Sequence, residues 1–434
     1  MEKDIVPHDS PLEETDGAQD PDISQEKPSP QLIPAEEEYP EGGLRAWGVA
    51  AGTSLALFCS LGYVNSFGVY QAYYVSHQLS DQDPSRVAWI GSLQFYLVFS
   101  AGVFGGPLFD RYGGKVIIPG AVLYVLSIML TSICTKYTHF ILAQGILGGL
   151  ANGMVLNPAM AATSQYFQKK RGAAIGLAIA GSSIGGVVFP LALARMMNNS
   201  TLGFDWAVRI VGFIILALLT VVCIIVKERL PSRKKKFFLP RAFTERQYVM
   251  AVSAGFFLFL GMFGPYFFLP EYAISRGVDP LMASYLIAIL NGSSFPGRVI
   301  PGILSDKLGR FNMLTLAGIV TSALLFAWYR FDTPGSIYAF TVLYGLASGG
   351  IISGLSVNLA STTTNPSNIG TYMGQAMPFC SLACLIGPPI DGAFLAHYLG
   401  YKELSIFSGV VCIFGAAIAF AAKTTTKAGL FGIA

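Results

Sequence analysis

Two side chains carry charge well inside otherwise apolar runs, whereas Arg209 and Glu271 lie near the outer ends of theirs, one able to snorkel and the other interfacial. Arg298 falls in the run 281–304, and no Asp or Glu lies within four residues of it on either side. A charge at the centre of a bilayer costs roughly 2.5–3.5 kcal/mol on insertion scales. An arginine there requires an acid on another helix, water, or an anionic ligand, and a guanidinium can grip a carboxylate with two parallel hydrogen bonds. Asp391, in the run 369–396, is the one acid placed to carry a proton inside such a run; the alternative is a capped outer helix end. Around them, Asn65, Tyr70, Asn152, Asn157, Tyr266, Asn291 and Asn358 sit near the middle of their own apolar runs. Together these could line a polar cavity. Singly, each also reads as a helix–helix hydrogen bond worth about 0.6 kcal/mol.

Other chemistries lack their residues. The histidines, His8, His77, His139 and His397, fall in the N-terminal tail or at the edges of apolar runs, where they form no relay. Cys59, Cys134, Cys223, Cys380, Cys384 and Cys412 all lie in apolar runs, at spacings that match no zinc or haem pattern, and read as small structural hydrophobes. Glycine-rich stretches at 145–149 and 181–186 come without any G-x-x-x-x-G-K-[ST] match, so they indicate close helix packing rather than a phosphate cradle. No cofactor and no metal is expected. A membrane-embedded enzyme would need clustered acids, histidines or a Ser/His pair, and the sequence has none of these.

One motif occurs twice. Gly106-Pro-Leu-Phe-Asp110-Arg111-Tyr-Gly113 and Gly302-Ile-Leu-Ser-Asp306-Lys307-Leu-Gly309 repeat glycine, acid, base and glycine at identical spacing, 196 residues apart, and Arg310 follows the second copy. A second copy at the equivalent place indicates internal duplication, the mark of many secondary transporters. Glycine lets helix ends approach closely, and an Asp can cap a helix end or pair with a base across a loop. Such a cluster can latch one conformation and release it in another; the alternative is a tight soluble turn that only sets topology.

These residues need rigid elements at fixed depths. Charged residues make up 12% of the chain, about half the share of roughly a quarter found in soluble proteins. Mean hydropathy is +0.55. Apolar runs near the length of about 20 residues that a bilayer demands predict helices over 47–75, 87–109, 116–136, 139–166, 172–196 and 206–226. A second six follow over 249–274, 281–304, 311–330, 335–361, 369–396 and 402–422. The prediction is an all-α membrane protein of twelve transmembrane helices in two pseudo-symmetric six-helix halves, 46–226 and 249–422, joined by a basic linker over 227–248. Asn157-Pro158 and Gly387-Pro388-Pro389 are expected to break or kink spans 4 and 11.

Residues 1–45 form an acidic, proline-punctuated tail that holds 13 of the 25 acidic residues. Such a segment cannot bury enough apolar surface to offset its chain entropy, and it lacks the basic start and apolar core of a signal peptide. With the N-terminus in the cytoplasm, 17 Lys and Arg fall in the inner loops, linker and 423–434 tail, against six on the outside, which predicts cytoplasmic termini. The basic run 233–236 then reads as a topology determinant touching anionic lipid, not as a nucleic-acid site. The sequons at Asn198 and Asn199 face outward, where glycosylation could occur; chance occurrence is the alternative.

The repeated loop motif resembles that of the major facilitator superfamily. Tyr166-Phe-Gln-Lys169-Lys170-Arg171-Gly-Ala-Ala174-Ile-Gly176-Leu-Ala178-Ile-Ala180-Gly181-Ser182 is similar to the span-5 signature of the monocarboxylate porter family, and Glu41-Gly42-Gly43-Leu-Arg-Ala-Trp47 to its approach to span 1, in the fungal variant. This resemblance implies that Arg298 matches the family's anion-contacting arginine. It also places Ser294 where the family has a proton-handling Asp, and Asn65 where it has a lysine. The implied anion contact is kept and the implied proton site is lost, which argues against simple proton–lactate symport and favours ligand contact for Arg298.

The expected function is secondary active transport of a small organic solute, an organic anion or amphipathic secondary metabolite, by alternating access, with efflux favoured and protons as the coupling ion. The alternatives are proton-linked uptake of a monocarboxylate or vitamin-like solute, and a transporter-like sensor. A monomer in the plasma membrane is expected, with the vacuolar membrane as the alternative site.

Overall fold

The structure, a computed structural model, describes residues 39–82, 84–199, 202–230, 238–363, 365, 368–398 and 400–425. The acidic tail up to residue 38, the basic run 233–236 and the side chains of Asn198 and Asn199 lie outside the described residues, and with them the lipid-contact and sequon readings.

A backbone inside lipid must satisfy its own hydrogen bonds, and helices do so within one segment. The first half comprises α1 (Gly43–Ser76), α2 (Pro84–Ser100, continued as Gly102–Tyr112), α3 (Ile117–Thr131), α4 (Tyr137–Tyr166), α5 (Arg171–Asn199) and α6 (Gly203–Ile225). The second comprises α7 (Arg246–Ser275), α8 (Pro280–Leu308), α9 (Arg310–Ala327), α10 (Pro334–Ser361), α11 (Ile369–Tyr398) and α12 (Tyr401–Lys423). Most boundaries fall within a few residues of the apolar runs. Helix α1 begins at Gly43 rather than after residue 45, with Gly42 at its N-cap. Ten stretches of the described chain are long and apolar enough to cross a bilayer, one of them holding both α2 and α3. Helix α8 is not among them; its middle carries Asn291, Ser293, Ser294 and Arg298.

Each half has its own core. One cluster gathers buried side chains from Ala46 to Val226, and another those from Ala242 to Ala422 together with Leu57, Met160, Ile175, Ala178 and Ile179. Large apolar residues stay exposed on α3, α6, α9 and α12, among them Val122, Phe213, Leu316 and Phe414. In a chain of this composition that is lipid-facing surface.

The halves meet along α2 with α11 and α5 with α8, and glycines bring these helices together. A Cβ on Gly106 would stand 2.1 Å from the Gly370 carbonyl oxygen, and one on Gly302 would stand 2.6 Å from that of Gly172. Both contacts lie at the end of the bundle that carries the α2–α3 and α8–α9 loops.

The breaks expected at Pro158 and at Pro388-Pro389 do not occur. Helix α4 runs through Pro158, and α11 through Pro378, Pro388 and Pro389. Packing against neighbouring helices holds such segments helical; beside Pro158, Asn157 Nδ2 ties α4 to the Val98 carbonyl of α2 at 3.3 Å. The interruptions fall elsewhere. Helix α1 has a π turn over Phe58–Gly62 and a break at Asn65 and Ser66, and α7 breaks at Phe263 between Arg246–Met262 and Gly264–Ser275. Phe263 lies 198 residues after Asn65, so the two breaks occupy equivalent places in the halves. Paired discontinuous helices of this kind flank solute sites in secondary transporters.

Candidate functional site

Between the two breaks lies a small cavity of about 40 Å³. Helix α1 contributes Leu61 and Asn65, α2 Phe95 and Phe99, α5 Ser182, α7 Phe259, Phe263 and Tyr266, α8 Arg298, and α10 Ile352. Both halves therefore build it.

Arg298 is the charge in this wall, 3% exposed. Its Nη1 donates to the Ile179 carbonyl of α5 at 3.2 Å and to the Ser182 hydroxyl, and the Tyr266 hydroxyl lies beside it. Its Nε has no hydrogen-bond partner. The guanidinium is thus held by neutral acceptors, with part of its donor fork unspent, and a buried donor left unsatisfied costs about 1–3 kcal/mol. An anionic solute in the cavity would relieve that cost.

Aromatic rings form the rest of the lining. Phe95 of α2 meets Phe263 of α7 edge-on at 5.5 Å, Phe99 stands 6.5 Å from Phe259, and Phe263 packs on Tyr266 at 5.6 Å. Phe95 and Phe99 are four residues apart, as are Phe259 and Phe263, so each pair occupies one helix face. Sequence reasoning selected only Tyr266 from this group, although the two matched spacings were the available signal.

The predicted cavity residues divide. Asn65, Tyr266 and Arg298 line the cavity; outside its lining, Asn291 Oδ1 accepts from Asn65 Nδ2 across the halves at 3.3 Å, and Ser294 meets Ser183 of α5 at 2.8 Å. Tyr70 does not join them; its hydroxyl is 2.6 Å from that of Tyr63, inside the first half. Asn157 Nδ2 is spent on Val98 and Gly153, and Asn358 Nδ2 on the carbonyls of Arg310 and Gly354 at 3.1 and 2.8 Å, near the loop end of α10, with Asn358 Oδ1 buried and not hydrogen-bonded. Asn152 is fully buried in α4, with neither atom of its amide hydrogen-bonded. Asp391 is fully buried in α11, close to the α7 break rather than at a helix end.

The repeated motif closes the seam at one end. Asp110 Oδ2 accepts the backbone N–H and the hydroxyl of Thr371, at 3.1 and 2.7 Å, in the first turn of α11. Asp306 accepts the N–H groups of Gly172 and Ala173, at 2.8 and 2.9 Å, in the first turn of α5. Each acid therefore caps a helix of the opposite half, where the exposed amides and the helix dipole favour a carboxylate. Gly113 and Gly309 both take left-handed backbone, with φ of +67° and +96°, which glycine adopts without steric cost. Arg310 Nη2 donates to the Gln168 carbonyl at 2.6 Å, and the Arg111 guanidinium lies over the Tyr112 ring. Lys307 points to the surface.

The α4–α5 loop has a further restraint. Glu41 accepts the amides of Gln168 and Lys169 on Oε1, at 2.7 and 2.6 Å, and that of Lys170 on Oε2 at 2.9 Å. It is the one described non-glycine residue with positive φ, at +52°, a conformation uncommon outside glycine.

Comparison with known proteins agrees with this architecture. A family model described as the Major Facilitator Superfamily matches residues 53–388. The chain is 51% identical over 400 residues to the aspyridones efflux protein apdF of Emericella nidulans, covering 92% of this chain and 82% of that protein. It is 38% identical over 391 residues to the agnestins efflux protein AgnL12 of Paecilomyces divaricatus, covering 89% of each. Among solved structures it shares the fold of the human organic anion transporter MFSD10, with a TM-score of 0.68 at 14% identity, covering 86% of this chain and 98% of that one.

Proposed function

Since the chain belongs to the Major Facilitator Superfamily, we propose that it exports a small, acidic or amphipathic secondary metabolite, with its charge met by Arg298 and its apolar body by the Phe95–Phe263 aromatics. The observation that carries this reading is the buried guanidinium with an unspent Nε donor in a cavity built by both halves. Export is supported by the two relatives, which are efflux proteins for aspyridones and agnestins. At about 40 Å³ the cavity is far below the roughly 300–1,000 Å³ of ligand sites, so the solute enters only when the halves part. Energy comes from an ion gradient, of protons. The distribution of basic residues supports termini on the cytoplasmic side of the plasma membrane, which makes the end closed by Asp110 and Asp306 the cytoplasmic gate. The likeness of residues 166–182 to monocarboxylate porters supports anion handling of the same kind.

Purified protein in sealed liposomes tests this. An aspyridone should move across the membrane under an imposed proton gradient with no ATP present. Flux that requires hydrolysable ATP, or no flux of aspyridones and agnestins under any ion gradient, contradicts the reading.

A further inference from the structure

Asp391 occupies a place that neither packing nor the anion site explains. It is fully buried in α11. Its Oδ1 accepts one long hydrogen bond, 3.5 Å from the Ser408 hydroxyl of α12, and Oδ2 has no partner. Oδ2 faces the α7 break: a Cβ on Gly264 would lie 3.3 Å from it. Gly264 opens the half-helix Gly264–Ser275, whose first turn has no side-chain cap and holds Pro265, which carries no N–H. The titratable group facing this region from α10 is Tyr344, whose hydroxyl is spent on the Met262 carbonyl at 2.5 Å. Helix α12 presents Ser408 and α7 a bare glycine, and no charged side chain among the described residues acts on the carboxyl. The surroundings therefore offer a carboxylate no cation.

The same break reaches the solute cavity. Phe263 at its centre packs on Phe95 of the opposite half, and Tyr266, one turn on, lies beside Arg298. A change in charge at Asp391 thus acts on the segment of α7 that lines the cavity.

We propose that Asp391 is the proton-coupling acid of this transporter, and that the α7 break transmits its charge state to the cavity. The reading rests on ion-gradient transport as proposed above. While the break is closed, Asp391 keeps its O–H bond. When the break moves and admits water, that bond breaks, the proton leaves to water on one side, and the same water solvates the carboxylate. Reprotonation from the other side resets it. Acid recognition and proton handling are then on different helices, α8 and α11.

The test uses the full chain in liposomes, with a labelled aspyridone and two readouts. One is uphill transport driven by an imposed pH gradient; the other is exchange of labelled for unlabelled aspyridone at equal pH. Asp391→Asn should lower the gradient-driven rate by tenfold or more and leave exchange within about twofold. Asp391→Glu should restore part of the drive. If both variants fold poorly, the wild type still decides the matter: dicyclohexylcarbodiimide should modify Asp391, as read by mass spectrometry, and abolish gradient drive in proportion to labelling. Gradient drive that survives Asp391→Asn, or that survives full labelling, overturns the assignment. A wild type that exchanges aspyridone but ignores every pH gradient removes proton coupling itself, a separate failure seen before any variant is made.

Discussion

Gly172, in the first turn of α5, gives its backbone N–H to Asp306 of the opposite half at 2.8 Å. The equivalent acid, Asp110, holds Thr371 of α11 in the same way. The duplicated motif thus forms two crossed caps that fasten one end of the bundle, with Gly106 and Gly302 letting the helices approach closely enough to make them.

Losing one cap should loosen that end without unfolding the protein. A helix cap contributes about 0.5–2 kcal/mol, which is roughly a 2- to 30-fold change in the open-to-closed ratio. Asp110→Ala or Asp306→Ala should therefore slow transport at normal surface abundance and raise the reactivity of a cysteine placed at the motif end. Unchanged transport and reactivity at equal abundance would leave the motif as a simple turn.

The glycine contacts make a sharper steric prediction. Gly106→Ala and Gly302→Ala each place a Cβ on the backbone of the other half, at 2.1 and 2.6 Å from a carbonyl oxygen. Both should hold the motif end open and reduce transport at least tenfold. Gly68→Ala, with no neighbour within 4 Å, should transport normally. Equal activity in all three variants would show that the closed contact is not part of the cycle.

Glu41 should matter through the α4–α5 loop. Its carboxylate collects three consecutive amides, and Lys169 and Lys170 lie exposed beside it. In Glu41→Ala, trypsin should cut after these lysines several-fold faster in open membrane fragments. An unchanged cleavage rate would mean that the loop keeps its shape without the strap.

The twelve helices were legible because lipid leaves the backbone few choices, and length and hydropathy report it directly. Arg298 was legible because an arginine without a nearby acid stands out in an apolar run. The aromatic lining was not, since Phe95, Phe99, Phe259 and Phe263 are four of 31 phenylalanines, most of which face lipid or core. Tyr70 and Asn358 were selected by depth in their runs, but depth does not say which way a helix face points. The caps were half visible: Asp110 and Asp306 recur in the sequence, whereas their partners at Gly172 and Ala173 are backbone amides that no side-chain pattern marks. The break at Asn65 has no proline to mark it, and the one at Phe263 is marked by Pro265, in the first turn of the second half-helix, which was passed over for the prolines of α4 and α11.

The most direct measurement concerns Arg298 and charge. Thermal stabilisation of the purified wild type is compared for an arylalkanoic acid and its methyl ester, then repeated with Arg298→Lys and Arg298→Ala. A hydrogen bond to a charged group is worth about 1.5–3 kcal/mol, so the acid should bind the wild type roughly 10- to 100-fold more tightly than the ester. Arg298→Lys, without the planar fork, should lose part of that margin, and Arg298→Ala all of it while remaining folded in the membrane. Equal stabilisation of the wild type by acid and ester would contradict recognition of an anionic solute by Arg298.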